Sequence, residues 1–257
     1  MQLVVDVGNT ETVLGLATSP TELAAHWRVS SMVPRTADET TVLLRALLAG
    51  SPAVAGDIDQ AVLGSVVPSA THSWVRSLGQ IVAGPVVTVG PTLPLPIKLD
   101  VEEPMTVGAD RIVNTLAAME MYHRDTIAVD LGTATTFDCI TAEGVFMGGV
   151  ISPGLSSGLE WLGKRTAKLP RVELEPPQQV IGRRTETCIQ SGVFLSAVEA
   201  VDGIVRRIKA EWKKPDALVV ATGGFAKVVG PHLATVDRTE PFLTLYGLAM
   251  AGRHVRR

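Results

Sequence analysis

The stretch from Ile127 to Asp138 constrains the chain most. Apolar Ile127, Ala128, Val129 and Leu131 surround a carboxylate, Asp130, and Gly132, Thr133, Ala134, Thr135 and Thr136 follow at once. An acid at the mouth of a buried strand is costly unless it meets a cation or hydrogen-bond donors. A turn rich in glycine and small hydroxyls supplies donors, because the backbone bends tightly there and its amides can face an anion. Val4-Val5-Asp6-Val7-Gly8-Asn9-Thr10-Glu11-Thr12 has the same grammar, and aligning Asp6 with Asp130 brings Gly8 onto Gly132 and Thr12 onto Thr136. One phosphate-handling hairpin is expected twice, and two such loops facing each other would grip a polyphosphate. An ordinary surface hairpin would explain Gly8 to Glu11 alone; Asp6 and the second copy argue against it.

The internal echo favours two domains in the 257 residues, and 46% hydrophobic against 19% charged residues lets each bury a core. A net charge of −3 without a long basic run argues against general nucleic-acid binding, which needs concentrated Lys and Arg. The closing Arg253-His254-Val255-Arg256-Arg257 reads as a solvated helix end. Cys139 and Cys188 lie in apolar surroundings and are expected to be buried structural thiols. No cationic region followed by an apolar segment opens the chain, and no apolar run approaches the ~20 residues of a membrane span. A cytoplasmic setting without membrane or nucleic-acid partners is the expectation.

In chain order, residues 2–7 and 12–17 read as strands joined by a turn. Thr36 and Glu39 have the spacing of a capping box, and Val42, Leu43, Leu47 and Leu48 continue a helix that Gly50 and Pro52 end. Strands are expected at 61–67, 86–89 and 217–221, and helices from Ser69, over 108–122, 155–164, 186–212 and 243–255. Gly108-Ala109-Asp110-Arg111 opens the second of these helices. Acids are common at helix starts, where the dipole stabilises them. A neighbouring glycine and guanidinium fit a ligand site equally well. Thr222-Gly223-Gly224 after a strand is a place where a nucleotide can lie close to the backbone.

No Gly-x-x-x-x-Gly-Lys-Ser/Thr loop occurs, so this is not the P-loop solution. The duplicated hairpins resemble the superfamily of acetate and sugar kinases, heat-shock ATPases and actin. Within it, Asp6-Val7-Gly8-Asn9-Thr10, Gly108-Ala109-Asp110-Arg111-Ile112-Val113-Asn114, Asp130-Leu131-Gly132-Thr133-Ala134-Thr135-Thr136 and Ile181-Gly182-Arg183-Arg184-Thr185 together resemble type III pantothenate kinase. The resemblance implies an α/β chain of two similar actin-like (ribonuclease H-like) domains, 1–115 and 116–257, with ATP in the cleft between them. It implies transfer of the ATP γ-phosphoryl group to pantothenate, the first step toward coenzyme A, in a homodimer. Carried over, Asp6, Val7, Gly8, Asn9, Thr10, Glu11, Thr12, Val13 and Thr133 bind ATP, and Asp6 also holds Mg²⁺ through water. Asp130 takes a monovalent cation, K⁺ or NH₄⁺. Gly108, Ala109, Asp110, Arg111 and Thr185 line the pantothenate site, with Asp110 as general base. Arg111 would pair with the substrate carboxylate or with charge developing on the phosphoryl group; the sequence does not choose.

One departure touches the substrate. The family carries Asp-Tyr-x-Asn-Pro where this chain has Asp100-Val101-Glu102-Glu103-Pro104, so Val101 replaces the tyrosine that reaches pantothenate. Losing that hydrogen bond weakens binding by about 0.5–1.5 kcal/mol. Arg183-Arg184 in place of Lys-Asn is milder. Two competing readings are a nucleotide-binding transcriptional regulator on the same scaffold and a kinase for another small alcohol.

Overall fold

Leu3, Val4 and Val5 are all 0% exposed although they alternate between the two faces of one strand, so the sheet that holds them is covered on both sides. The structure, a computed structural model, describes residues 1–51, 57–165 and 169–256; Pro52 and Arg257 lie outside these. It divides into two units, one of residues 1–121, 144–146 and 243–257, the other of 122–143 and 147–242.

In the first unit, β1 (Gln2–Val7), β2 (Glu11–Ser19) and β3 (Glu22–Ser30) form an antiparallel meander. Helix α1 (Ala37–Ala49) leads to β4 (Gln60–Ser65), and α2 (Pro68–Leu78) to β5 (Val86–Thr88), both parallel to β1 in the order β3-β2-β1-β4-β5. The expected capping box is present: the Thr36 amide donates to Glu39 Oε2 at 2.8 Å and the Glu39 amide to Thr36 Oγ1 at 3.3 Å. One sheet face buries Leu3, Val5, Val7, Leu14 and Leu16 against Leu44 and Leu48 of α1 and Trp74 and Leu78 of α2. Each such side chain contributes about 1.5–3 kcal/mol. After the two-residue β6 (Lys98–Leu99) comes α3 (Ala109–Tyr122), and the end of the chain returns to this unit as the last helix.

The second unit repeats the plan. β7 (Thr126–Leu131) and β8 (Ala134–Ile140) are antiparallel, β9 (Val145–Pro153) follows, then α4 (Leu155–Arg165), the long α5 (Thr185–Trp212), β10 (Leu218–Thr222), the single turn α6 (Ala226–Val229) and β11 (Arg238–Thr239). The order β9-β8-β7-β10-β11 matches that of the first sheet strand for strand, while Val145 and Phe146 pair with β6 in the first unit. Ile127, Val129, Leu131 and Phe137 pack against Phe194, Val198, Val201, Val205 and Ile208 of α5. By length and composition α5 could cross a membrane; its apolar residues include the stripe that packs into this core. The last helix, α7 (Leu243–Val255), packs on β1, β2 and β4, opposite α1 and α2. A side chain at Gly252 would come within 2.6 Å of Val62, and one at Gly247 would collide with the Val113 carbonyl, so α7 lies tightly on β4 and α3.

Three expectations are corrected. Thr12 corresponds to Thr135, not Thr136. Val7 pairs with Thr12 and Leu131 with Thr135, because the second turn is one residue shorter. The basic terminus is not simply solvated: Arg256 grips Asp59 with two bonds of 2.6 and 3.0 Å, and Arg253 and His254 reach Glu120. Cys188 is exposed, because it stands on the outward side of α5, while Cys139 is half-buried at the core margin.

Asp202 on α5 fixes the loop before β11. Its carboxylate accepts from the amides of Ala234 and Thr235, both at 3.0 Å, and from Thr235 Oγ1 at 2.6 Å. Burial pushes this carboxyl up, but the Thr235 and Ala234 donors outweigh it and hold it below the usual range. Asp202→Ala should lose about 2–3 kcal/mol in urea unfolding at neutral pH. Because the folded pKa lies below the unfolded value of about 3.9, the stabilisation is complete above that pH and is lost as pH falls through the folded pKa. The gap between wild type and Asp202→Ala should therefore narrow in acid.

Candidate active site

β1 and β4 run parallel, so their carboxyl ends share an edge, with Asp6 beside Gly64 and Val7 beside Ser65. Gly64 lacks a side chain where one would sit 3.6 Å from Ala109 Cβ of α3 and 3.2 Å from Leu248 of α7. That gap lets the start of α3 settle over β4, next to the strand that carries Asp6. The contact continues through Val66, whose amide donates to the Val7 carbonyl at 3.1 Å and whose Cγ1 lies against Gly108. Asp6 and the turn after it, and Gly108, Ala109, Asp110 and Arg111, are thus gathered at one edge of the first unit. Gly64 and Val66 were not expected as contributors; an isolated glycine inside an apolar strand was the available signal.

The turn is closed by the Gly8 amide, which donates to the Glu11 carbonyl at 3.1 Å, so that amide is used within the loop. Asn9 and Thr10 are exposed at the tip, and Glu11 pairs with Arg28 at 2.8 Å. Val13 pairs with Asp6 across the hairpin. Thr12 is 1% exposed, beneath the loop.

Asp110 stands in the first turn of α3, partly buried, accepting from the Arg111 amide at 2.9 Å. A side chain at Gly108 would collide with Asp110 Oδ1, so only glycine leaves the carboxylate this position. Burial pushes the Asp110 carboxyl up, and the Arg111 amide and guanidinium do not offset it. Arg111 lies over the Phe146 ring, 4.8 Å from its centre. Phe146 O accepts from the Asp100 amide at 2.9 Å, so the run containing Val101 is pinned beside that ring.

In the second unit the corresponding edge gathers Asp130, Thr133 and the turn after β10. Gly132 N donates to Ala134 O at 3.1 Å, as Gly8 does to Glu11 in the first hairpin. Thr133 is exposed at its tip, and its carbonyl accepts from Gly154 N at 3.2 Å. Thr222 pairs with Asp130, and Gly223, at φ +91°, presses its backbone against Asp130 Oδ1, where any side chain would collide. A carboxylate at this edge is a hard oxygen donor, the type of ligand that a hard cation would take. Thr185 opens α5 and is exposed. No cluster of three metal-ligating side chains occurs among the described residues. The Asp6 carboxylate would suit Mg²⁺, which keeps waters and relies on one or two carboxylates plus substrate phosphates.

The family model for type III pantothenate kinase matches residues 2–207. The chain belongs to the type III pantothenate kinase family. A relative of that name from Moorella thermoacetica is 42% identical over 248 residues, covering 96% of this chain and 97% of the relative. Among solved structures, a protein described as a Baf family transcriptional activator from Campylobacter jejuni superimposes with TM-score 0.60 at 14% identity, covering 99% and 98% of the two chains. A ROK family glucokinase from Streptomyces griseus, solved with glucose and AMPPNP, gives 0.55 at 12% over 99% of each. Those structural likenesses carry the fold: two actin-like α/β domains.

Gly223→Ala should cost about 2–4 kcal/mol, since it combines a left-handed backbone with a collision at Asp130. Gly90→Ala, which meets nothing within 4 Å, should stay within about 0.5 kcal/mol of wild type in the same thermal or urea unfolding series.

Proposed function

We propose that the chain transfers the γ-phosphoryl group of ATP to the primary hydroxyl of pantothenate, with Asp110 accepting the hydroxyl proton. The observation that carries this is Asp110 itself: a carboxyl raised by burial, beside a glycine that leaves it room and one helix away from the Asp6 turn. A base works best with its pKa drawn toward the working pH, and burial moves Asp110 that way. Phosphoryl transfer asks for alignment and charge neutralisation more than covalent help. The Asp6 to Val13 hairpin and Thr133 supply phosphate contacts, Gly108, Ala109, Arg111 and Thr185 receive pantothenate, and Asp130 takes K⁺ or NH₄⁺. Mg²⁺ near Asp6, when bound, neutralises charge on the phosphates. The protein acts in the cytoplasm as a homodimer. The outward side of α5 around Cys188 and Leu195, with exposed Val180 and Ile181 beside it, offers an apolar surface suited to a second copy. Sedimentation at micromolar concentration should give the mass of two chains, and a monomer would refute this.

Purified protein with ATP and Mg²⁺ should form 4′-phosphopantothenate, and faster with potassium. Asp110→Asn should keep the fold and ATP binding while turnover falls about 10²–10⁴-fold. The base must be ionised, so kcat/KM should fall as pH drops through the raised Asp110 pKa, on an acid limb above the ordinary aspartate value of about 3.9. Full activity in Asp110→Asn would refute the assignment of the base. ATP binding without phosphopantothenate formation would point to another small alcohol, with Val101 the first residue to examine.

A further inference from the structure

Thr12 sits beneath the first phosphate turn, and its Oγ1 lies 2.8 Å from Ser31 Oγ. The Ser31 amide also donates to the Thr10 carbonyl at 2.9 Å, one rung beyond Glu11↔Ser30, where the β2–β3 pairing ends. Ser31 therefore holds the chain on both sides of Glu11, at the tip through the backbone and at its root through the hydroxyl. The segment that carries it is anchored in turn: Arg35 Nη1 donates to the Ser30 carbonyl at 2.7 Å. Behind these bonds lies a cavity of about 270 Å³, lined by Val7, Thr12, Ser31, Arg35, Val67 and Trp74. The root of the turn is thus backed by open space over much of this side. Directed hydrogen bonds must then set its position, where close-packed side chains would do so elsewhere.

We propose that Ser31 is a positioning residue for the nucleotide: through Thr10 and Thr12 it fixes the Gly8–Thr10 turn without itself touching ATP. This rests on reading that turn as a phosphate site. Displacement of an aligning group by about 1 Å can cost up to 10²-fold in rate. A loosened turn should therefore be felt on the ATP side of the reaction.

The test compares Ser31→Ala, Ser31→Thr and Asp6→Asn by calorimetric titration with a non-hydrolysable ATP analogue and Mg²⁺, and by steady-state kinetics. Ser31→Ala should weaken the analogue and raise KM for ATP about five- to tenfold, as loss of one hydrogen bond of about 1 kcal/mol implies. KM for pantothenate should be unchanged, and Tm should fall by no more than about 4 °C. Ser31→Thr should recover most of the affinity, because it restores the hydroxyl and the cavity accepts the methyl. Wild-type ATP affinity in Ser31→Ala, beside weakened binding in Asp6→Asn, would overturn the inference alone. Equal losses for both substrates, with Tm lowered by well over about 4 °C, would also overturn it, reducing Ser31 to a structural role. Unchanged ATP affinity in Asp6→Asn would overturn the phosphate-site reading and the inference with it.

Discussion

The parallel pairing of β1 with β4 is the constraint on which the first unit depends. Parallel neighbours end at the same edge and need a crossover between them, here through α1, so helices come to cover the sheet. With α1 and α2 on one face and α7 on the other, a strand such as Leu3-Val4-Val5 has no solvent side. A charged residue is tolerable only where the strand runs out. Asp6 stands one residue before that point, beside Gly64, and the start of α3 closes over the same edge. The position of the acid, the glycine opposite it and the helix carrying Asp110 thus follow from one pairing. This is the edge at which parallel α/β sheets generally hold ligands.

The second unit uses the same strand order and spends it differently. β7 and β10 are parallel, as β1 and β4 are, and Asp130 occupies the register position of Asp6. In the first unit the neighbouring strand offers Gly64 and so admits a helix; in the second, Gly223 turns back against the carboxylate itself. One arrangement brings the start of α3 against the strand beside the acid. The other presses the backbone of Gly223 against the acid. Equivalent residues meet different surroundings because the adjacent glycine sits on the strand in one case and just past its end in the other.

Much of this was legible. Continuous apolar runs ending in an acid and glycine marked β1 and β7, and Thr36 with Glu39 marked the start of α1, because those signals are local. The equivalence of Thr12 was misread because a one-residue difference in turn length changes register without disturbing the motif around it. β3 was not anticipated, although Leu23, Ala25, Trp27 and Val29 alternate with exposed Glu22, His26 and Arg28. Period two on an edge strand is a quieter signal than an unbroken apolar run. The pairing of Arg256 with Asp59 joins residues 197 apart, and no spacing rule reaches that far. Cys188 was misplaced because Ile189 next to it is buried, and on a helix adjacent residues face directions about 100° apart.

Asp110 and Asp202 show how the fold decides what an aspartate does. Both are drawn out of water on helices, and burial alone would raise both. Asp202 meets three donors from one loop and is held ionised, which makes it a fastener. Asp110 accepts from the Arg111 amide, and the Arg111 guanidinium rests on the Phe146 ring. The dipole of α3 favours its charged form, yet burial still prevails. The two carboxylates thus differ in the balance struck around them: donors prevail at Asp202, and burial prevails at Asp110.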